Sequence, residues 1–243
     1  MIPKIIHFCW LSDDTYPSKI EKCINSWKKF MPDYELIKWD KNKFPLENNI
    51  WVRQAYETKK YAFAADYIRL YALYHYGGIY LDSDVEVLRS FDDLLHLPYF
   101  MGFDTTNNIE AAVIGVSVGN EWIGECLKYY NNRTFIDKTG KLDTATLPMI
   151  MKGQIERSMK FKKVESIEFP NETGEIYLFP CEYFSPKNVE NGNMEITENT
   201  YSIHHFSMSW LPKNIKIRVS LKLKLMHVIG YKNVIGVIKL LKK

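Results

Sequence analysis

Apolar positions along this chain fall into short blocks of two periods, and their alternation predicts an α/β domain. Ile2 to Trp10 is a near-continuous apolar run broken by Ser12, Asp13 and Asp14, the pattern of a buried strand followed by a loop. Ser18 and Glu21 have capping-box spacing, and Ile20, Cys23, Ile24 and Trp27 then recur at helical intervals. Tyr34 to Trp39 reads as a second strand between Pro32 and Asp40. A strand–helix–strand opening favours a largely parallel sheet.

The segment from Lys59 to Tyr76 contains no Gly or Pro and is rich in Ala, Leu and Tyr, which predicts a helix ended by Gly77 and Gly78. Ile79 to Leu88 then reads as a strand, as do Tyr99 to Phe103 and Ala111 to Val118. Glu121 to Tyr130 reads as a helix, and Tyr177 to Pro180 and Thr200 to His205 as short extended pieces.

Composition narrows the class. Of 243 residues, 46% are hydrophobic and 25% charged, a globular balance. No run approaches eighteen apolar residues, so no transmembrane helix is expected, and Met1 to Ser12 lacks the basic flank and cleavage site of a signal peptide. The net charge of +3 hides an asymmetry. Residues 213–243 hold nine Lys and Arg and no acid, whereas the first 212 residues hold 23 basic and 29 acidic groups. The division expected is a catalytic domain over 1–212 and a basic tail over 213–243. Cys9, Cys23, Cys126 and Cys181 show no C-x-x-C spacing, which predicts reduced, buried thiols in a cytoplasmic protein.

The candidate chemistry lies after the diglycine. On a strand, Tyr80, Asp82 and Asp84 share one face, and two carboxylates so placed can converge on a hard divalent cation such as Mg²⁺ or Mn²⁺. The alternative is a strand that ends in solvated acids. Asp66 and Arg69, three apart on a mostly apolar helix, form either a buried ion pair or a pair of site groups.

Taken together, Ala64-Ala65-Asp66-Tyr67-x-Arg69 and Tyr76-Gly77-Gly78-Ile79-Tyr80-Leu81-Asp82-Ser83-Asp84-Val85 resemble the DXD-containing sugar-binding region of glycosyltransferase family 32. The opening Ile2-Pro3-Lys4-Ile5-Ile6-His7-Phe8-x-Trp10 resembles that family's first strand, and Tyr201-Ser202-Ile203-His204-His205-Phe206-x-x-Ser209-Trp210 its closing motif. The resemblance is nearest to capsular polysaccharide transferases. It implies a GT-A fold with a mostly parallel central sheet and a retaining, metal-dependent hexosyltransferase. The implied donor is a nucleotide-sugar, foremost a UDP-sugar, the acceptor a saccharide or lipid-linked group in surface polysaccharide synthesis, and the cofactor Mn²⁺ or Mg²⁺. By the same resemblance Asp82 and Asp84 hold the metal, completed by His204 or His205, and Asp66 and Arg69 hold the donor sugar. Tyr80, Ser209 and Trp210 then lie by the diphosphate, and His7 and Trp10 by the base and ribose.

Two rival classes remain. A phosphatase of the haloacid-dehalogenase type also uses Asp-x-Asp, but Glu86 stands where that motif wants Thr or Val. A non-catalytic sugar-nucleotide or membrane-binding module on the same fold is the other. No P-loop or dinucleotide fingerprint is present, and nothing in the acidic body suits nucleic acid. In the tail, Ile215, Val219, Leu221, Leu225, Val228 and Ile229 interleave with the basic residues. That fits a basic amphipathic helix on an anionic membrane surface, hence a peripheral location on the inner face of the cell membrane, or a helix packed on the domain.

Overall fold

The computed structural model describes residues 1–164, 167, 169, 174–207 and 221. Ser209, Trp210 and, Leu221 aside, the basic segment 213–243 lie outside them. Among the described residues, no helix is long and apolar enough to cross a membrane.

The expected opening forms as β1 (Ile5–Cys9), α1 (Ser18–Phe30) and β2 (Glu35–Trp39), with β1 and β2 parallel in register from Ile5 opposite Glu35 to Cys9 opposite Trp39. Ser18 is the first helical residue rather than a cap: Pro17 occupies the cap position and no side chain caps the helix. The fixed φ of proline suits the chain just before a helix, and the backbone carbonyl of Pro17 accepts from Ile20 and Glu21.

Two further helices follow, α2 (Ile50–Glu57), which no pattern above predicts, and α3 (Tyr61–Tyr76). Asn49 caps α2 by accepting from the Val52 backbone N–H. Gly77 and Gly78 take φ of 63° and 92° as the chain reverses into β3 (Gly78–Leu81). A Cβ on Gly78 would lie 2.7 Å from the Ile5 carbonyl oxygen, so the close approach of β3 to β1 requires glycine there.

The strand expected over Ile79–Leu88 is broken. It leaves the central sheet after Leu81, turns through Asp82, Ser83 and Asp84, and resumes as β4 (Val85–Val87). The apolar alternation of Val85 and Val87 hides the break. Those residues face α1, where Trp27 donates to the Val85 carbonyl and Ser26 accepts from the Val87 N–H. Helix α1 therefore holds β4 out of the main sheet.

Then come β5 (Tyr99–Phe103), β6 (Ile109–Val116), α4 (Glu121–Lys128), α5 (Leu147–Ile155), β7 (Lys160–Lys163), β8 (Glu175–Leu178), α6 (Cys181–Phe184) and β9 (Ser202–His204). The central sheet has the order β2-β1-β3-β6-β5. Four of its strands run the same way and β6 alone opposes them, since it is antiparallel to both neighbours. Strand β9 pairs with β4 outside this sheet.

Side chains on the two faces of the sheet fill two cores. Ile6, Phe8, Ile79 and Leu81 pack with Trp27 of α1 and with Phe91, Phe184 and Tyr201. Tyr80, Met101 and Ile114 pack against α2, α3, α4 and α5 through Trp51, Ile68, Ile123 and Ile150. Trp27 and Trp39 are core residues, as their surroundings in the sequence suggest. All four cysteines are free, and burial raises the thiols of Cys9, Cys23 and Cys126 to about 12, which keeps them unreactive.

Candidate active site

Strand ends deliver the polar groups to one edge of the sheet. The carboxyl end of β3 leads into the Asp82–Asp84 turn, closed by a bond from the Val85 N–H to the Asp82 carbonyl. The Asp82 N–H in turn donates to the Ala112 carbonyl of β6. The two carboxylates converge because this is a turn, not because strand residues alternate, which corrects the shared-face expectation.

Strand β9 brings His204 to the turn. Its Nε2 lies 3.4 Å from Asp84 Oδ1, and its Nδ1 lies 3.2 Å from Glu110 Oε2. Asp82, Asp84 and His204 offer one ligand atom each within 4.8 Å of one another. Of the two candidate histidines, His205 turns away and pairs with Glu86 at 2.7 Å, as adjacent residues leaving a strand should. Asp84 is anchored further by the Ser207 N–H, 2.5 Å from its second oxygen.

Helix α3 supplies Asp66 and Arg69 on the facing side. Arg69 is 5% exposed. Its Nη2 meets Asp82 at 2.7 Å and Asp66 at 3.7 Å, and its Nη1 donates to the Ala111 carbonyl. The guanidinium also lies over the Tyr80 ring, 4.3 Å from its centre. These contacts bear on two expectations. Both Nη atoms of Arg69 meet protein groups, so it positions the acids, while its buried Nε has no hydrogen-bond partner among the described residues. Tyr80, 1% exposed, supports Arg69 from below and has no surface for a diphosphate.

His7 is likewise removed from the donor. It is fully buried; its Nδ1 accepts from the Trp39 indole N–H at 3.1 Å, so its Nε2 donates to the Gly77 carbonyl at 2.8 Å. Burial lowers its pKa to about 4, fixing it as a neutral structural bridge between β1, β2 and the diglycine turn. Trp10 does reach a surface. It borders a cavity of about 490 Å³ at the carboxyl ends of β1 and β2, with Tyr16, Lys38 and Asp40 around it. Its ring stands edge-on to Tyr16 at 4.9 Å, and its N–H donates to the Asp14 carbonyl. Asp104 closes its own loop by accepting from Thr106 and Asn108, and borders a second cavity of about 370 Å³ with Asn108, Glu110, Thr146 and Phe206.

The charges respond to this crowding. Burial raises Asp66 to about 7, with Asp82 adding to the rise and Arg69 opposing it. Burial also raises Asp82. For Asp84 and Glu110, burial is outweighed by the charge and hydrogen bonds of His204, and both are held below the usual carboxylate range. His204 is raised well above an ordinary histidine, because Glu110 and Asp84 outweigh its own burial.

Two carboxylates are ligands of the right type for Mn²⁺ or Mg²⁺, and an imidazole beside them favours a transition-metal ion such as Mn²⁺ over Mg²⁺. The four acids Asp66, Asp82, Asp84 and Glu110 face two cationic side chains, so the site has room for further positive charge. A cation bound there would take the place of the proton on His204 Nε2. Residues and chemistry thus fit a divalent ion held by Asp82, Asp84 and His204.

Glu110 was not expected from the motifs, and Phe206 stood in the closing motif with no role assigned. Glu110 had a signal, as the lone charge in the otherwise apolar, fully buried strand Ile109–Val116. Phe206 takes a φ of 51° and sets its ring 4.0 Å from that of His204.

Comparison with known proteins agrees with this geometry. Residues 17–101 match the family described as glycosyltransferase sugar-binding region containing DXD motif, which takes in α1, α3, β3 and the acidic turn. The chain is 34% identical over 126 residues to inositol phosphoceramide mannosyltransferase 3 of Schizosaccharomyces pombe, covering 50% of this chain and 35% of that protein. It is 31% identical over 146 residues to a mannosyl phosphorylinositol ceramide synthase of Saccharomyces cerevisiae, covering 56% and 37%. An uncharacterised glycosyltransferase of Acanthamoeba polyphaga mimivirus is 24% identical over 220 residues, covering 87% of this chain and 85% of that one. The matches to the two yeast proteins thus take in little more than a third of their length. Among solved structures, PaToxG glycosyltransferase aligns with a TM-score of 0.51 and 21% identity over 64% of this chain and 68% of that chain. Residues 17–101 are thus similar to a DXD-containing glycosyltransferase sugar-binding region, and the α/β fold is like that of a solved glycosyltransferase, consistent with GT-A.

Proposed function

We propose that this protein is a metal-dependent, retaining hexosyltransferase that moves a sugar from a nucleotide-sugar to a saccharide or lipid-linked acceptor. The observation that carries the reading is the convergence of Asp82, Asp84 and His204 beside the Asp66–Arg69 pair at one sheet edge. A non-catalytic module would have no need of so many opposed buried charges.

The layout suggests how a donor lies. The cavity at Trp10 takes the nucleoside, with the indole and Tyr16 as its aromatic wall. The diphosphate crosses the acidic turn at the centre. A divalent ion held by Asp82, Asp84 and His204 would stabilise the negative charge that grows on the leaving diphosphate. Asp66 borders the sugar, where its carboxylate favours the positive charge developing at the anomeric carbon. Arg69 keeps Asp66 and Asp82 apart and oriented. The cavity beyond Glu110, on the β5–β6 side, receives the acceptor, with Asp104 and Asn108 at its rim.

The mannosyltransferases among the relatives act on inositol phosphoceramide, a lipid acceptor, which supports a lipid-linked acceptor here. The nine cationic residues of 213–243 would then hold the enzyme on an anionic membrane surface near that acceptor, on the inner face of the cell membrane. A capsule or other surface polysaccharide is the product class proposed, with a UDP-sugar the first donor to test and a GDP-sugar the second. The test is a panel of UDP- and GDP-sugars incubated with Mn²⁺ or with EDTA. Release of nucleoside diphosphate from one donor, only with metal, supports the reading; no cleavage of any donor with Mn²⁺ and a hydroxyl acceptor present refutes it.

A further inference from the structure

Glu110 is the second residue of β6 and is 8% exposed. A carboxylate in that position costs desolvation unless both oxygens are satisfied. They are: Oε1 accepts the Ala112 backbone N–H at 2.9 Å, and Oε2 lies 3.2 Å from His204 Nδ1. The next two residues serve the same site. The Ala111 carbonyl accepts from Arg69, and the Ala112 carbonyl accepts from the Asp82 N–H at 2.9 Å. Three consecutive positions at the head of one strand therefore hold the guanidinium, the acidic turn and the histidine.

An ionised carboxylate only accepts, so the hydrogen in the Glu110–His204 bond must sit on Nδ1. In neutral imidazole the lone pair is then on Nε2, the nitrogen that faces Asp84 at 3.4 Å. Phe206 packs its ring 4.0 Å from the imidazole and restricts its rotation. Carboxylate, histidine and cation in that order is an arrangement that fixes the tautomer and strengthens the ligand.

We propose that Glu110 is a positioning residue that locks His204 in its Nδ1–H form and so aims an unprotonated Nε2 at the cation site of Asp82 and Asp84. The inference rests on the metal-dependent reading above. Glu110 touches neither donor nor cation; it acts through His204.

Glu110→Gln separates this role from simple packing, because it is nearly isosteric. The Ala112 N–H still needs an acceptor, so the amide oxygen turns to it and the amide NH₂ is left against His204 Nδ1. A donor there drives the imidazole hydrogen to Nε2, pointing it at the cation. The measurement is Mn²⁺ titration of the full chain, reading free Mn²⁺ by electron paramagnetic resonance, with thermal melting alongside. On Mg²⁺-saturated protein, ¹⁵N–¹H correlation of the histidine side chains reads the tautomer.

The expected result is Nδ1–H at His204 in the wild type, and Mn²⁺ binding roughly 10- to 100-fold weaker in Glu110→Gln at a similar melting temperature. Binding within twofold of wild type in the variant overturns the proposal, as does an Nε2–H tautomer in the Mg²⁺-loaded wild type, which decides the matter even if the variant fails to fold. A wild type that binds no Mn²⁺ overturns the cation reading itself; a wild type that binds it with an indifferent Glu110→Gln overturns the role of Glu110 alone.

Discussion

Arg69 and Asp82 are joined by a 2.7 Å ion pair that ties α3 to the acidic turn. The guanidinium is buried and also meets Asp66, so removing it leaves two acids facing each other out of water. Arg69→Ala should therefore lose about 3–5 kcal/mol of stability in denaturant unfolding. Asp66→Asn should keep the fold and nucleoside-diphosphate affinity while transfer falls roughly 10²-fold or more. Unchanged stability in Arg69→Ala, or an equal loss of nucleotide affinity in Asp66→Asn, would show that these roles are misassigned.

His7 makes a pH prediction. Its folded pKa of about 4 lies below the usual 6.5, so the unfolded chain binds the proton more readily in that window. Stability from His7 is thus present above about pH 6.5 and lost as pH falls toward 4, on the order of 3 kcal/mol in all. Asp66, raised to about 7, works in the opposite sense over the same range. The His7 contribution should be read as a difference: the stability gap between wild type and His7→Gln should shrink steadily from pH 6.5 to 4. A pH-independent gap would contradict the buried, neutral assignment.

Trp10 lines the cavity assigned to the nucleoside. Trp10→Ala should weaken nucleoside-diphosphate binding by about 1–3 kcal/mol, the worth of one base stacked on an aromatic ring, and leave Mn²⁺ binding in the absence of nucleotide unchanged. Calorimetry with and without nucleotide distinguishes the two. Full nucleotide affinity in the variant would move the base elsewhere.

Removal of residues 213–243 tests the basic tail. The shortened chain should no longer sediment with anionic liposomes at low salt, while metal-dependent donor cleavage persists. A full-length protein that fails to sediment with such liposomes ends the membrane assignment.

Much of this was legible in the sequence because it is written in local pattern. The diglycine, the helix before it and the parallel opening all follow from spacing, and the sheet forms in those places. Asp66, Asp82, Asp84 and one of the two adjacent histidines were singled out and do come together. The losses have one physical cause, which is that orientation across the sheet is not a local property. Residues of β1 and β3 carried by a motif can face either layer. His7 and Tyr80 turn to the α3 side and are consumed by Trp39, Gly77 and Arg69. The break after Leu81 was hidden because β4 continues the same alternation against α1. Glu110 needed the register of β6 against β3 before its partner, 94 positions away, could be seen.

In the proposed function the acidic turn holds the ion on which sugar transfer depends. The most direct measurement is Mn²⁺-dependent release of nucleoside diphosphate from the preferred donor, compared between wild type and Asp84→Asn at saturating donor. Asn keeps the shape of the side chain but removes the charge that faces His204 and the cation. The wild type should release nucleoside diphosphate with Mn²⁺ and not with EDTA, and Asp84→Asn should lose roughly 10²-fold or more with the fold intact. Wild-type release by Asp84→Asn, or release that EDTA leaves untouched, would contradict the proposed function.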